Sequence, residues 1–194
     1  VLDGRSVNGF FWVFYGAMTD RGYTITVTDR ETGEVKTYTN EPGQITSRAD
    51  TKAFSGGAGV GAPMTEADLA VAVSARPKAA AGVCVADAVT LCLSGGRFRV
   101  QVGLPTSPTG PILAAPAVPL TPESGAFVFK DPANLEVSVK VLDGTSIDGH
   151  FWVFVGGLSD RGFEVTVTDT ETGIPWTYFN PVGVVQSHAD TSAF

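Results

Sequence analysis

Residues 149–173 decide the fold of this chain, and they read GHFWVFVGGLSDRGFEVTVTDTETG. The run Phe151 to Phe154 is apolar at every position, which is typical of a strand covered on both faces. After a turn, residues 163–168 alternate between apolar side chains and Glu or Thr, the pattern of a half-buried strand. Residues 169–173 then form a short polar loop that ends in Gly, which predicts a β-hairpin.

Nearly the same stretch occurs a second time in the chain. Residues 1–54 align with residues 141–194 without a gap, at an offset of 140, and 31 of the 54 positions are identical. We call residues 1–54 the first copy and residues 141–194 the second copy. The repeat predicts a partial unit at 1–54, a Gly/Ala-rich linker at 55–82 and a complete unit at 83–194.

The part of the chain between the copies also favours strands. Residues 97–102 and 135–141 alternate, and residues 126–129 form a short apolar run. We therefore predict an all-β fold, an antiparallel β-sandwich of about seven strands over 83–194, immunoglobulin-like in general architecture and repeated in tandem. Residues 105–122 are rich in proline and are expected to be a loop, while residues 69–73 fit a short helix and a strand equally well.

The first copy is expected to be incomplete as a folding unit. It corresponds to the second half of a 140-residue unit, so it lacks counterparts of residues 97–102, 126–129 and 135–140. Alone it would expose unpaired strand edges and an apolar face. Either the boundary is artificial, or the missing strands come from residues 69–73 or from a neighbouring chain by β-strand addition. A head-to-tail exchange between chains does not close on itself and would give filaments.

Composition argues against several classes of partner. The net charge is −7 and charged residues make up 17% of the chain, so neither a nucleic acid backbone nor an anionic lipid surface is expected as a partner. The apolar runs are short and interrupted, so no membrane insertion is expected.

The two cysteines, Cys84 and Cys92, are eight residues apart. In an acidic β chain, an even pair around a short loop fits a disulfide formed in an oxidising compartment. The alternative is two reduced thiols in the core. No histidine stands at a zinc-ligand spacing from them, so no metal site is predicted.

Candidate catalytic residues are lacking in the sequence. The two histidines, His150 and His188, are not repeated between the copies, and no nucleophile, phosphate-binding or dinucleotide motif occurs. The repeated acids stand beside Gly or Thr, which indicates turns rather than an acid–base pair. We therefore predict no catalytic residue, no metal and no cofactor.

Aromatic residues offer the remaining candidate site. Trp12 and Trp152 lie in the most apolar strands and are interpreted as core. Trp176, Tyr178 and Phe179 replace Lys36, Tyr38 and Thr39 of the first copy. On a strand, Trp176 and Tyr178 share a face, and the hypothesis is that they contact a sugar or a protein partner; equally, they cover a sheet.

The chain resembles a domain that recurs in many secreted and surface proteins of environmental bacteria. The resemblance is carried by Cys84 and residues 91–93, by residues 97–100 and 134–144, by residues 149–154 and by residues 166–173. It implies secretion and modular use, and it carries no catalytic residues over.

The resulting expectation is a non-enzymatic extracellular or cell-surface protein with a structural or adhesive role. Self-association, as a homo-oligomer or as filaments built by inter-chain strand complementation, is the expected partnership. The alternative is an accessory carbohydrate-binding module with a glycan as its partner. A small enzyme or inhibitor is a third class, which no residue supports.

Overall fold

A computed structural model describes residues 1–56, 82–106 and 110–194 of the chain. The predicted all-β, antiparallel sandwich is confirmed. The predicted linker at 55–82, with its segment 69–73, lies almost entirely outside the described residues. The strands are β1 Leu2–Gly4, β2 Phe10–Gly16, β3 Tyr23–Thr28, β4 Val35–Asn40, β5 Ser47–Ser55, β6 Leu91–Leu93, β7 Phe98–Pro105, β8 Ile112–Ala114, β9 Ala117–Thr121, β10 Ser124–Val128, β11 Leu135–Asp143, β12 Phe151–Gly157, β13 Phe163–Asp169, β14 Pro175–Asn180 and β15 Ser187–Asp190; one short helix, α1 Arg5–Asn8, follows β1.

Two five-stranded antiparallel sheets are built from β6 to β15. One has the order β15-β12-β11-β10-β9; the other has the order β14-β13-β7-β6, with β8 also paired to β7. Alternation along each strand turns one set of side chains toward the facing sheet, and those side chains form a single apolar cluster. Its fully enclosed members include Phe98, Val100, Phe127, Val139 and Phe163.

The first copy forms a smaller β-structure. Strands β1, β2 and β5 make a three-stranded sheet, and β3 pairs with β4 as a separate hairpin. Its core holds four buried side chains, namely Val13, Tyr38, Ala53 and Phe54.

The proline-rich segment was predicted to be a loop, and in this the sequence interpretation is wrong. Residues 105–122 contain β8 and β9, so the described residues from 83 onward hold more strands than the seven expected. Pro119 lies in β9, which is the outermost strand of its sheet. Proline is tolerated there because its missing N–H can face away from the sheet.

The two repeated tryptophans lie outside the core, contrary to the sequence interpretation. Trp12 and Trp152 do occupy equivalent positions, but each is only half-buried. The indole of Trp152 covers Gly144, where a Cβ atom would lie 2.3 Å from the ring, and its N–H donates to Asp148. Alternation along β12 explains the placement, because the core side of this strand is taken by Val153 and Val155.

The predicted disulfide between Cys84 and Cys92 is present. Cys92 lies in β6, and Cys84 lies in the segment that leads into this strand. The bond therefore links the first described segment of the two-sheet structure to β6, one of its shortest strands.

We expect the double variant Cys84→Ser/Cys92→Ser to lose about 2.5 kcal/mol of unfolding free energy, because the unfolded chain regains the freedom of the closed loop. Urea unfolding monitored by circular dichroism measures the loss. The control is the reduced wild-type protein, which should match the variant. A loss below about 1 kcal/mol would show that the loop is already ordered without the bond.

The two copies contact each other through equivalent residues. A Cβ atom on Gly16 would lie 3.0 Å from the Cα of Gly156, its own equivalent. The hydroxyls of Ser47 and Ser187, also equivalents, lie 2.8 Å apart. The Lys140 ammonium donates to the Met18 carbonyl beside them, at 2.6 Å. Self-contacts of this kind indicate a local two-fold axis between the copies.

Candidate functional site

The candidate site is one edge of strand β3. In the second copy, the equivalent strand β13 is paired on both sides, with β14 and with β7. In the first copy, β3 pairs with β4 only. Among the described residues, nothing occupies the place that β7 holds beside β13, so this edge of β3 is free of any partner within that part of the chain.

The backbone groups of three threonines face this free edge. The Asp29 N–H donates to the Glu34 carbonyl, so Asp29 is turned toward the β4 side. Because successive residues of a strand point to opposite neighbours, Thr24, Thr26 and Thr28 are turned the other way. The second copy agrees, since the Thr170 N–H, which has the same parity, donates to the Arg97 carbonyl just before β7. We call the backbone of Thr24, Thr26 and Thr28 the acceptor edge.

Side chains next to the acceptor edge are incompletely buried. Phe163, Val165 and Val167 of β13 have no exposed surface. Their equivalents on β3 are Tyr23, Ile25 and Val27, and all three are half-buried. The residue types are similar in the two copies, so the difference lies in their surroundings: β13 is paired with β7 and faces a second five-stranded sheet. Covering a few hundred Å² of apolar surface here would stabilise the first copy by several kcal/mol, at about 25 cal/mol per Å².

Two other outer strands of the protein carry prolines, whereas the acceptor edge does not. Outer strand β14 begins with Pro175, and outer strand β9 contains Pro119. Proline on an edge strand prevents another strand from pairing there. Strand β3 reads YTITVT, a β-prone sequence without charge or proline. The acceptor edge is therefore chemically able to bind a further strand.

A second gap lies beside β2. The equivalent strand β12 is paired along its length with β11, from Asp143 back to Val137. On the corresponding side, strand β2 pairs only with β1, which reaches from Phe10 to Trp12; its other side is paired with β5. The rest of this edge of β2 has no strand partner among residues 1–56, 82–106 and 110–194.

The predicted aromatic site is divided between two faces of β14. Trp176 and Tyr178 lie on the core side, where both stack against the His188 ring, at 5.9 and 4.9 Å between ring centroids. Tyr178 is buried, and the Trp176 indole N–H donates to Asp190. Phe179 points to the other face and is largely exposed. The sugar or partner contact stays a prediction, and Phe179 is the member of the set with an open surface.

An aspartate shared by the two copies binds a different aromatic residue in each. Asp190 accepts the Trp176 N–H, whereas its equivalent Asp50 accepts the Tyr38 hydroxyl at 3.0 Å. Burial of the Tyr38 phenol and its bond to the Asp50 carboxylate raise the pKa of Tyr38 to about 12. These acids hold aromatic side chains in place.

The turn interpretation of the repeated acids is confirmed where the bonds are described. Asp29 accepts the Glu31 N–H, and Asp169 accepts the Glu171 N–H. Asp143 accepts the Thr145 N–H in the same way. Within the described ranges, no three His, Cys, Asp or Glu side chains are placed to hold a metal ion.

Sequence reasoning predicted an incomplete first copy but did not identify which strand edge is free. That information lies in the pairing of β13 with β7, a contact between residues some 65 positions apart along the chain. No protein-family model, curated protein or solved structure matches the chain. No helix in the described part of the chain is long and apolar enough to cross a membrane.

Proposed function

We propose that the protein is a non-enzymatic structural or adhesive repeat protein that self-associates by β-strand addition at the acceptor edge. The observation that carries the proposal is the contrast between β3 and β13. The two strands are equivalent and share the residues of positions 26–28 and 166–168. Strand β3 has one neighbour among the described residues and β13 has two, and the apolar side chains of β3 stay partly exposed. A strand supplied by another chain satisfies the backbone groups of Thr24, Thr26 and Thr28 and covers those side chains.

Secretion to the cell exterior or surface is part of the proposal. The disulfide Cys84–Cys92 supports it, because such bonds persist in oxidising compartments. The resemblance to a repeated β domain of bacterial secreted and surface proteins points in the same direction. Structural proteins outside the cell need strong contacts between chains, and strand addition provides them through the main chain.

We expect Thr26→Pro to abolish self-association while leaving the β3–β4 hairpin folded. The Thr26 N–H faces the acceptor edge, so proline removes a donor that only an added strand would use. The chain offers a matched control in Thr37→Pro. Thr37 lies directly opposite Thr26 in the hairpin, and its N–H faces the outer side of β4.

Light scattering after size exclusion, together with negative-stain microscopy, measures the outcome. The wild type and Thr37→Pro should gain mass as the protein concentration rises through the micromolar range, and Thr26→Pro should remain monomeric. A monomeric wild type, or a Thr26→Pro protein that associates as the wild type does, would overturn the proposal. Filaments seen for the wild type would establish an open-ended arrangement, and closed dimers would indicate an isologous one.

A further inference from the structure

Strand β7, which pairs with β13 in the second copy, is held there by a group of charged and aromatic side chains that we call the clamp. Arg97 immediately precedes β7, and its guanidinium lies 3.2 Å from the Asp169 carboxylate and 3.6 Å from that of Glu171. The same guanidinium lies over the Phe151 ring, 4.2 Å from its centroid. Two anions and an aromatic face therefore fix one end of β7 against β13.

The receptor side of this clamp is present in the first copy. Asp29, Glu31 and Phe11 stand at the positions of Asp169, Glu171 and Phe151. Within the described residues, the side-chain bonds that the Asp29 carboxylate accepts come from its own loop, from the Glu31 N–H and the Thr32 hydroxyl. In the described part of the chain, no cationic side chain lies within ion-pair distance of Asp29 or Glu31.

In the first copy, a nearby arginine already contacts the aromatic part of the clamp. Arg5 lies over the Phe11 ring at 4.6 Å, and it is ion-paired with Asp3 at 2.7 Å. The first copy also has Arg30 where the second has Thr170, so one hydroxyl contact to the chain before β7 is missing. Arg5 also lies close enough to Glu31 for their charges to attract each other. The Asp29 carboxylate and the row of apolar side chains along β3 remain available.

We infer that the acceptor edge is selective for a strand of one chemistry, an arginine followed by large apolar side chains at alternate positions. The inference rests on the proposed function, and it specifies the partner of that same site. The strand runs antiparallel to β3, as β7 runs to β13. Its arginine reaches the carboxylates of Asp29 and Glu31, and its apolar side chains cover Val27 and Ile25.

The register of this strand follows from the second copy. Phe98, Val100 and Val102 lie opposite Asp169, Val167 and Val165, and all three are buried against the core. Moved to the first copy, the same three side chains lie opposite Asp29, Val27 and Ile25. The partner is thus residues 97–102 of a second copy of the chain. Because these residues are paired in β7, the second copy must release β7 from its own sheet to donate it, as in domain swapping.

The test uses a fluorescently labelled peptide of residues 96–105, GRFRVQVGLP, added to the full chain. Fluorescence anisotropy should show saturable binding to the wild type and to Thr37→Pro, and none to Thr26→Pro. A peptide with Arg97→Glu should bind the wild type at least about tenfold more weakly, because it brings a carboxylate to Asp29 and Glu31. The protein variant Asp29→Lys/Glu31→Lys should reverse this preference and bind the Arg97→Glu peptide better.

Two outcomes overturn the inference and leave the proposed function standing. Equal binding of the two peptides would show that the edge accepts strands without regard to charge. No binding of either peptide up to about 100 μM, by a chain that still associates through Thr26, would show that its partner strand has another chemistry. If no peptide binds and the wild type is monomeric as well, both proposals fail.

Discussion

Phe163→Ala should lower the unfolding free energy of the two-sheet structure by about 3–5 kcal/mol. The Phe163 ring is fully enclosed and lies 6.0 Å from the Phe129 ring and 6.3 Å from that of Tyr178, between ring centroids. Removing it leaves a cavity that the surrounding strands cannot fully close, because backbone pairing holds β13 between β14 and β7.

The matched control is Tyr23→Ala, at the equivalent position of the first copy. Tyr23 is half-buried beside the acceptor edge, so its loss should cost no more than about 1.5 kcal/mol. Urea-dependent hydrogen exchange, read by mass spectrometry on peptides from β7 and from β3, separates the two parts of the chain. Equal losses at the two positions would show that the first copy is as fully packed as the second.

Arg97→Met should destabilise the two-sheet structure by about 3 kcal/mol, the second-largest effect we expect. Asp169 is almost fully buried, and Arg97 is the cation that pairs with it. Methionine preserves much of the side-chain volume over Phe151 but leaves the carboxylate without its counter-charge. Arg99→Met is the control, since Arg99 lies two residues further along the same strand and has no ion pair in the described structure; it should change stability by less than about 0.5 kcal/mol.

The effect of Arg97→Met should depend on pH. Burial acts to raise the pKa of Asp169, but the Arg97 hydrogen bond, the Glu171 N–H and the Arg97 charge outweigh it and leave the pKa below its usual value. A carboxyl group with a lowered folded-state pKa stabilises the protein above the unfolded pKa of about 4, and the stabilisation is lost as the pH falls. Without Arg97, burial raises the pKa of Asp169 in the variant, so the difference between wild type and variant should be full at neutral pH and shrink as the pH falls through the acidic range. A difference that stays constant down to pH 3 would show that packing, rather than charge, is responsible.

Much of this fold was predictable because the signals are local. The alternation in residues 23–28 and 135–141 matches β3 and most of β11, and the spacing of Cys84 and Cys92 predicted their bond. Trp152 was misassigned because a run of apolar residues does not reveal which face of a strand is the core. The strands in residues 105–122 were missed because proline marks loops and edge strands alike.

The candidate site lay beyond sequence reasoning for a different reason. An internal repeat shows that the first copy lacks strands, but only pairing between distant segments shows which strand edge is then left without a partner. The same limit applies to Trp176 and Tyr178, which were correctly placed on one face of a strand. That this face is the inner one depends on β15 and His188, which pack against it from the facing sheet.

The contact of Gly16 with Gly156, and of Ser47 with Ser187, restricts how the repeated sequence can change. A residue on the local two-fold axis contacts the equivalent residue of the other copy, so a duplication that copies the residue also creates the contact. A charged side chain there would meet an identical charge, and a large one would meet an identical bulk. Glycine and serine can be copied without conflict, because one brings no side chain and the other can both donate and accept a hydrogen bond. A substitution at Gly16 or Ser47 therefore changes a contact that the equivalent residue of the other copy also makes.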